Sequence, residues 1–256
     1  MDRQPFGVLV VHGFTASLDC VRGVEVAMRD LGLPTRMPVL RGHGAESPEA
    51  LRGVVWGDWV ADSKAALRDL LTEVEQAIVF GHSMGGLVAL TLAADGAGGA
   101  ADAAGGSIDS LILAAPAIQL VSPLAPGRPL AFLRPLVERL LDKWDMPPRY
   151  ADGALAEDDT NYAWAPIEAI GEILEFSQVT RELLPEVEAP MMIMQSRKDS
   201  TVAPESVEII RESVATPANE IRTVWFHETE HEMFRDCERE DAIRAMVDYV
   251  RERVGG

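Results

Sequence analysis

Apolar runs of six or seven residues alternate along the chain with longer segments in which apolar positions recur every three or four residues. The short runs predict β-strands buried on both faces of a parallel sheet, because such strands are apolar almost throughout. The longer segments predict amphipathic helices that connect those strands. The six predicted core strands are FGVLVV, PTRMPVL, QAIVFG, SLILAA, PMMIMQS and IRTVWF. The predicted helices lie near 18–31, 58–75, 84–94, 204–215 and 238–253.

Two stretches interrupt this alternation. Segment 95–107, DGAGGAADAAGGS, is rich in glycine and alanine and predicts a surface loop after a helix end. Residues 117–187 contain the helical windows RPLAFLRPLVERLLDKW and PIEAIGEILEFSQVTRELL but no strand-like run, which favours an inserted helical cap over a further β-α-β unit. We therefore predict an α/β core domain, residues 1–116 and 188–256, with a mostly parallel sheet of about six or seven strands flanked by helices and a helical cap at 117–187.

Composition narrows the classes of partner. The chain has 256 residues, 47% of them hydrophobic, and a formal net charge of -18. The negative electrostatic field of such a protein repels nucleic acids and anionic membranes, so neither is expected as a partner. The acidic residues are scattered along the chain, which is typical of a solvated surface, and a neutral or cationic small molecule is the expected ligand.

The cysteines and the apolar runs indicate where the protein resides. Cys20 and Cys237 lie far apart in sequence and form no disulfide framework, which is typical of a reducing compartment. The first strand starts within a few residues of Met1 without the pattern of a signal peptide. No apolar run approaches the roughly 18 residues of a membrane span. We therefore expect a cytoplasmic protein without stable membrane insertion.

The segment VFGHSMGG, residues 79–86, places a serine between glycines at a predicted junction of strand and helix. In a strand-turn-helix setting, a G-x-S-x-G sequence is typical of a nucleophile held on a strained turn. Gly81 and Gly85 fit this interpretation, because a side chain at either position would collide across the tight bend. The helix after Ser83 also directs backbone N–H groups and its positive dipole end towards the turn, which favours an oxyanion.

A serine hydroxyl needs a histidine base and a carboxylate that orients the histidine. Asp199 follows the strand PMMIMQS and His231 follows IRTVWF, so both are predicted on loops at the carboxyl ends of late strands. Asp236 and Glu230 are alternative acids because they lie close to His231 in sequence. Asp236 precedes a predicted helix and is expected to serve as a carboxylate at its N-terminus.

Five segments together resemble the serine α/β-hydrolases, in particular the bacterial carboxylesterase and monoacylglycerol lipase group: HGFTAS, LRGHG, GHSMGG, QSRKDSTVAP and HETEH. The resemblance covers nearly the whole chain. It implies that Ser83 is the nucleophile, Asp199 the acid and His231 the general base. It also implies an oxyanion hole formed by the backbone N–H groups of Phe14 and Met84. It implies no metal or cofactor.

The remaining histidines are given structural roles by the same resemblance. His12 and His82 flank the site and are expected to be structural or to belong to the oxyanion loop, and His43 is expected to fix a loop by hydrogen bonding. The chain also departs from the family pattern. Relatives often carry glycine immediately before the catalytic histidine, where this chain has Glu230, and the strands that precede the first core strand in the family are nearly absent here.

The expected activity is hydrolysis of short to medium acyl esters through an acyl-enzyme at Ser83. The alternatives are a monoacylglycerol lipase, a carbon-carbon bond hydrolase or acyltransferase with the same triad, and a non-catalytic small-molecule receptor. An apolar acyl chain is expected because the predicted cap contains many apolar side chains. They are Leu133, Leu136, Leu140, Leu141, Trp144, Met146, Tyr150, Tyr162, Trp164, Ile167, Ile173, Leu174 and Phe176. The sequence does not determine the oligomeric state.

Overall fold

The computed structural model describes residues 3–96 and 106–255. Six strands form one parallel sheet in the order β2-β1-β3-β4-β7-β8, which confirms the predicted fold class. These strands are β1 Gln4–Val11, β2 Thr35–Arg36, β3 Val74–His82, β4 Ser107–Ala114, β7 Met191–Ser196 and β8 Ile221–Phe226. All six predicted core strands are present, although only two residues of PTRMPVL pair in the sheet.

Seven α-helices occur in the described residues. They are α1 Asp19–Asp30, α2 Trp56–Leu71, α3 Met84–Ala94, α4 Arg134–Leu140, α5 Ile167–Leu183, α6 Glu205–Ser213 and α7 Arg239–Gly255. The five helices predicted between the core strands are confirmed, with shifts at their ends. The helix predicted at 58–75 extends too far towards its C-terminus, because α2 ends at Leu71 and β3 begins at Val74. The window 128–144 is helical only in α4, since prolines at 129 and 135 restrict where a helix can run.

Alternating strand residues divide between two hydrophobic layers. Leu9 and Val79 pack on the side of α2, α3 and α5, whereas Val8 and Ile78 pack on the side of α1 and α7. Successive side chains of a strand point to opposite faces, so a strand covered on both faces must be apolar at every position. This explains why the core strands appear in the sequence as continuous apolar runs.

The predicted helical cap differs from the structure in two respects. Strands β5, Lys143–Asp145, and β6, Trp164–Pro166, form an antiparallel pair within it, so the expectation that this segment contains no strand was wrong. Three residues are too few for an alternating pattern to stand out in the sequence. In addition, α5 packs against α3, and its Phe176 belongs to the same hydrophobic layer as strand residue Leu9. Helix α5 therefore belongs to the helical layer that covers this face of the sheet.

Most of the glycine- and alanine-rich segment predicted as a surface loop, residues 97–105, lies outside the described residues. Within 3–96 and 106–255, no helix is both long and apolar enough to cross a membrane.

The parallel arrangement determines where functional side chains can meet. Because β3, β7 and β8 run in the same direction, the loops that follow them emerge at one edge of the sheet. Ser83, Asp199 and His231 lie in these three loops.

Candidate active site

Ser83 occupies a strained turn between β3 and α3. Its φ of 56° and ψ of -113° lie in a region that residues with side chains rarely adopt. Hydrogen bonds hold the turn: Ser83 N–H donates to Ala114 O at 2.8 Å, and Ser83 O accepts from Gly86 N–H at 3.0 Å and from Ala117 N–H at 3.2 Å. The turn is therefore secured by backbone contacts to the end of β4 and the segment after it.

The two glycines beside this turn are required by close backbone contacts. A Cβ atom on Gly81 would lie 2.0 Å from Gly85 O, and a Cβ atom on Gly85 would lie 2.3 Å from Val11 O. Both distances are far below van der Waals contact with backbone atoms that cannot move independently. The predicted collision across the bend is thus present at Gly81, whereas at Gly85 the collision is with the end of the neighbouring strand β1.

His231 and Asp199 are in direct contact. His231 Nδ1–H donates to Asp199 Oδ2 at 2.9 Å, and Asp199 Oδ1 accepts from the N–H groups of Thr201 and Val202 at 2.8 Å each. Burial lowers the pKa of His231, but the Asp199 carboxylate, together with the carboxylates of Glu232 and Glu230, outweighs burial and raises the pKa to about 9. The pKa of Asp199 is lowered, because its contacts with His231 and the two backbone amides outweigh its burial. This pairing leaves His231 Nε2 as the nitrogen available for proton transfer.

The two alternative acids bind backbone groups. Glu230 accepts from Ser200 N–H at 3.1 Å and from His231 N–H at 2.7 Å, so it connects the loops that follow β7 and β8. Asp236 accepts from Glu230 N–H at 2.7 Å, and from Ala151 N–H at 2.7 Å. Asp236 thus joins the loop that carries His231, here called the histidine loop, to the segment between β5 and β6. The sequence had predicted only that it would serve as a carboxylate at a helix N-terminus.

His12 and His43 fix the loops around Phe14. Leu40 N–H donates to His12 Nε2 at 3.1 Å, and Thr15 N–H donates to His43 Nε2 at 3.1 Å. Burial lowers the pKa of His12 to about 4 and that of His43 to about 3, so both rings are neutral and can accept these hydrogen bonds. The predicted loop-fixing role of His43 agrees with these contacts.

Glu232 and Asn161 were not among the site residues predicted from the sequence. Glu232 is buried and accepts a hydrogen bond from Asn161 Nδ2 at 3.2 Å, and burial raises the pKa of its carboxyl group to about 7. His82 Nε2–H donates to His231 O at 3.0 Å beside it. The position of Glu232 next to His231 was a signal in the sequence. Asn161 carried none, because it lies about 70 residues away in the predicted cap.

A cavity of about 340 Å³ connects these groups. Ser83, His231 and Phe14 line it from the core, whereas Met84 is buried as the first residue of α3, directly after Ser83. The predicted cap contributes a largely apolar wall that includes Trp144, Met146, Tyr162, Ile167, Ile173 and Leu174. Other apolar residues expected to roof the cleft lie elsewhere: Leu136 and Leu140 are exposed to solvent, and Phe176 is in the core.

Comparison with known proteins yields a family match over most of the chain. The family model described as Hydrolase_4, serine aminopeptidase, S33, matches residues 5–238. A thermostable monoacylglycerol lipase of Bacillus sp. (strain H-257) is 25% identical over 227 residues, which is 86% of this chain and 81% of the relative.

Solved structures agree with this match at the level of the fold. One, from work on LipS and LipT, two metagenome-derived lipolytic enzymes, superimposes with a TM-score of 0.84 at 23% identity, covering 98% of this chain and 95% of the other. A soluble variant of monoglyceride lipase from Saccharomyces cerevisiae gives a TM-score of 0.79 at 16% identity, with 99% and 88% covered. At such identities the structures establish the fold alone.

Proposed function

Because the chain belongs to the Hydrolase_4 family and is a lipase-type serine hydrolase acting on carboxylic esters, we propose that it cleaves short to medium acyl esters through an acyl-enzyme on Ser83. The observation that carries this proposal is that Ser83 and His231 line one largely apolar cavity and that His231 is hydrogen-bonded to Asp199. A strained serine beside an oriented histidine is the arrangement that nucleophilic acyl transfer requires.

The acylation step uses the neutral form of His231. Ser83 Oγ attacks the carbonyl carbon of the ester while His231 Nε2 takes the hydroxyl proton, which gives a tetrahedral intermediate. Asp199 stabilises the imidazolium through the 2.9 Å hydrogen bond to Nδ1. The intermediate then collapses, the bond between carbon and alcohol oxygen breaks, and the alcohol leaves with the proton from His231.

Deacylation repeats the sequence with water. His231 Nε2 takes a proton from the water as its oxygen attacks the acyl carbon. Collapse of the second intermediate releases the carboxylic acid and returns the proton to Ser83 Oγ, which restores the enzyme.

We propose that the N–H groups of Phe14 and Met84 stabilise the oxyanion in both intermediates. Met84 is the first residue of α3, and the first N–H groups of a helix have no partner within it. Phe14 N–H makes no hydrogen bond among the backbone groups of the described residues, and the residue lies on the cavity wall. Two free donors beside the nucleophile fit the requirement for oxyanion stabilisation.

The cavity wall indicates the acyl group. Trp144, Ile167 and Leu174 come from the predicted cap and line the same cavity as Ser83 with apolar surface, which suits a hydrocarbon chain. Since α5 packs against α3 and α2 and its Phe176 belongs to the core, we propose that the covering part of the insertion is residues 117–166 and that α5 serves as its base.

A second candidate is a monoacylglycerol lipase activity, favoured by polar groups near His231. Asn161, Glu232 and Arg149 line the same cavity and provide donors and acceptors for the hydroxyl groups of a glycerol leaving group. The Bacillus relative carries this activity in its name.

Hydrolysis of a p-nitrophenyl ester series of increasing acyl length, run beside monoacylglycerols, tests the proposal. We expect cleavage with a maximum at short or medium chains and its loss in Ser83→Ala. The matched control is Ser177→Ala, which removes a buried serine hydroxyl from α5 and should leave the rates unchanged. A preference for monoacylglycerol over p-nitrophenyl esters of the same acyl chain would favour the second candidate.

Two further results would contradict the ester proposal. One is turnover that persists in Ser83→Ala. The other is cleavage of amino-acid p-nitroanilides, the activity in the family description, without cleavage of esters. Mass spectrometry after treatment with a fluorophosphonate adds an independent readout, because we expect one adduct per chain on the peptide that contains Ser83. Tight retention of an ester without turnover would indicate the receptor alternative.

A further inference from the structure

A second cluster of chemically reactive side chains lies behind the candidate active site. Cys20 of α1, His82 at the end of β3 and Glu232 of the histidine loop each contribute one potential ligand atom, and the three atoms lie within 4.8 Å of one another. All three residues are buried. The proposed hydrolysis uses none of these side chains as nucleophile, acid or base.

Two polar atoms of these side chains have no hydrogen-bond partner. His82 Nδ1 and Glu232 Oε2 are both buried and make no hydrogen bond with any described residue. His82 Nε2–H donates to His231 O, so a neutral ring carries its free electron pair on Nδ1. A buried polar atom without a partner is unfavourable, and two of them beside a thiol call for an explanation.

We propose that Cys20, His82 and Glu232 bind one Zn²⁺ ion. Thiolate sulfur, imidazole nitrogen and carboxylate oxygen are the three ligand types that zinc takes in proteins, at roughly 2.0–2.3 Å in a tetrahedral arrangement. Ligand atoms of such a site are roughly 3.3–3.8 Å apart, a value that follows from those bond lengths. Because the three atoms lie within 4.8 Å of one another, binding requires side-chain rotations that bring them closer together around the ion.

Neighbouring hydrogen bonds already orient two of the three ligands. Histidines that bind metals usually donate their other ring N–H to a carbonyl or carboxylate, and His82 does so to His231 O at 3.0 Å. Glu232 is held by Asn161 Nδ2 through its other oxygen, Oε1, which leaves Oε2 free for the ion. These contacts would fix the histidine tautomer and the carboxylate position before the ion arrives.

Charge and access are also consistent with zinc. On binding, the Cys20 thiol releases its proton to solvent, and the resulting thiolate together with the Glu232 carboxylate neutralises the two positive charges. His82 and Glu232 line the cavity, so an ion can enter from that side and complete its coordination with water. The thiolate selects zinc over Mg²⁺ and Ca²⁺, which prefer oxygen ligands.

Competition against a chromophoric zinc chelator tests the proposal. The titration is done in excess Mg²⁺, which occupies weak carboxylate sites on the acidic surface. We expect one Zn²⁺ per chain for the wild type and at least about tenfold weaker binding for Cys20→Ser, because a direct ligand is lost. Cys237→Ser is the matched control, since Cys237 is the other cysteine of the chain and is exposed.

Cobalt provides a spectroscopic signature that a general change in stability would not produce. Co²⁺ in the same site should give a thiolate-to-metal charge-transfer band in the wild type and in Cys237→Ser, and none in Cys20→Ser. Near-ultraviolet circular dichroism of each metal-free variant checks its packing. If Cys20→Ser does not fold, Glu232→Gln replaces it and is expected to weaken zinc binding to a similar extent.

Three results would overturn the metal site: no saturable binding by the wild type, equal binding by the wild type and Cys20→Ser, or loss of binding in Cys237→Ser alone. Ser83→Ala should bind zinc as the wild type does. The metal site and the proposed hydrolysis can therefore fail independently of each other.

Discussion

Replacing Asp199 by asparagine separates the chemical role of this carboxylate from its role in the fold. Asparagine has nearly the same shape, and its side-chain oxygen can keep the hydrogen bonds that Asp199 Oδ1 accepts from the amides of Thr201 and Val202. The side-chain amide then takes the position of Oδ2, 2.9 Å from His231 Nδ1 and 3.3 Å from Gln195 Nε2. An N–H group thus faces His231 Nδ1 where an acceptor stood.

The expected loss of activity follows from this reversal. His231 must place its proton on Nε2 and accept from the new amide through Nδ1, so Nε2 can no longer take the proton of Ser83. Such a tautomer change costs on the order of 10⁴ in kcat, or about 5 kcal/mol of transition-state stabilisation. The folded state loses chiefly the contact with Gln195, which is worth about 1 kcal/mol.

The assay compares kcat for a p-nitrophenyl ester with the free energy of unfolding in denaturant. Asp109→Asn is the matched control. Asp109 is a largely buried carboxylate paired with Arg253 at 2.7 and 2.8 Å. It lies near the amino-terminal end of β4, whereas the site residues follow the carboxyl ends of the strands. We expect it to lose about 1–3 kcal/mol of stability with little change in kcat. If folded Asp199→Asn kept kcat within tenfold of the wild type, the proposed role of Asp199 would be wrong, and Glu230 would be the next acid to test.

Three further results are expected. Gly85→Ala should lower the free energy of unfolding, measured by denaturant titration, by about 3 kcal/mol, because the added Cβ would lie 2.3 Å from Val11 O. Gly57→Ala is the control: its added Cβ would have no atom within 4 Å, so the same titration should show a neutral or stabilising effect. Phe176→Ala should cost about 3–5 kcal/mol, since the buried ring is lost from the layer beneath α5, and calorimetry that found a near-neutral effect would contradict this. A pH profile of kcat/KM should still be rising at pH ~7 and level off only above about pH 9, because a His231 pKa of about 9 keeps the base protonated at lower pH; a profile already flat at pH ~7 would exclude this assignment.

Local patterns were sufficient to predict the sheet and the helices around it. The core strands are covered on both faces, so their apolar runs are uninterrupted, and the flanking helices bury only one side, so their apolar residues recur at helical spacing. The Ser83 turn was predictable for the same reason, since the contacts that require Gly81 and Gly85 involve residues of the motif itself and the adjacent first strand.

The insertion was predicted less well because its side chains have several surfaces to contact. Leu140 and Phe176 are both large apolar residues of the insertion, yet the side chain of Leu140 is exposed to solvent and that of Phe176 is buried in the hydrophobic core. The pairing of β5 with β6 joins segments about twenty residues apart through three residues each, which leaves no periodic signal.

The sequence by itself determined the fold class, the strained serine and the loops on which an acid and a base would lie. Only the tertiary structure decided which carboxylate meets His231: Asp199 does so across 32 residues, whereas Asp236, five residues away, binds backbone amides. It also decided that Cys20 and Glu232 approach His82. The physical reason is that a motif reflects contacts between near neighbours in the chain, while side chains on separate loops meet only through the packing that positions those loops.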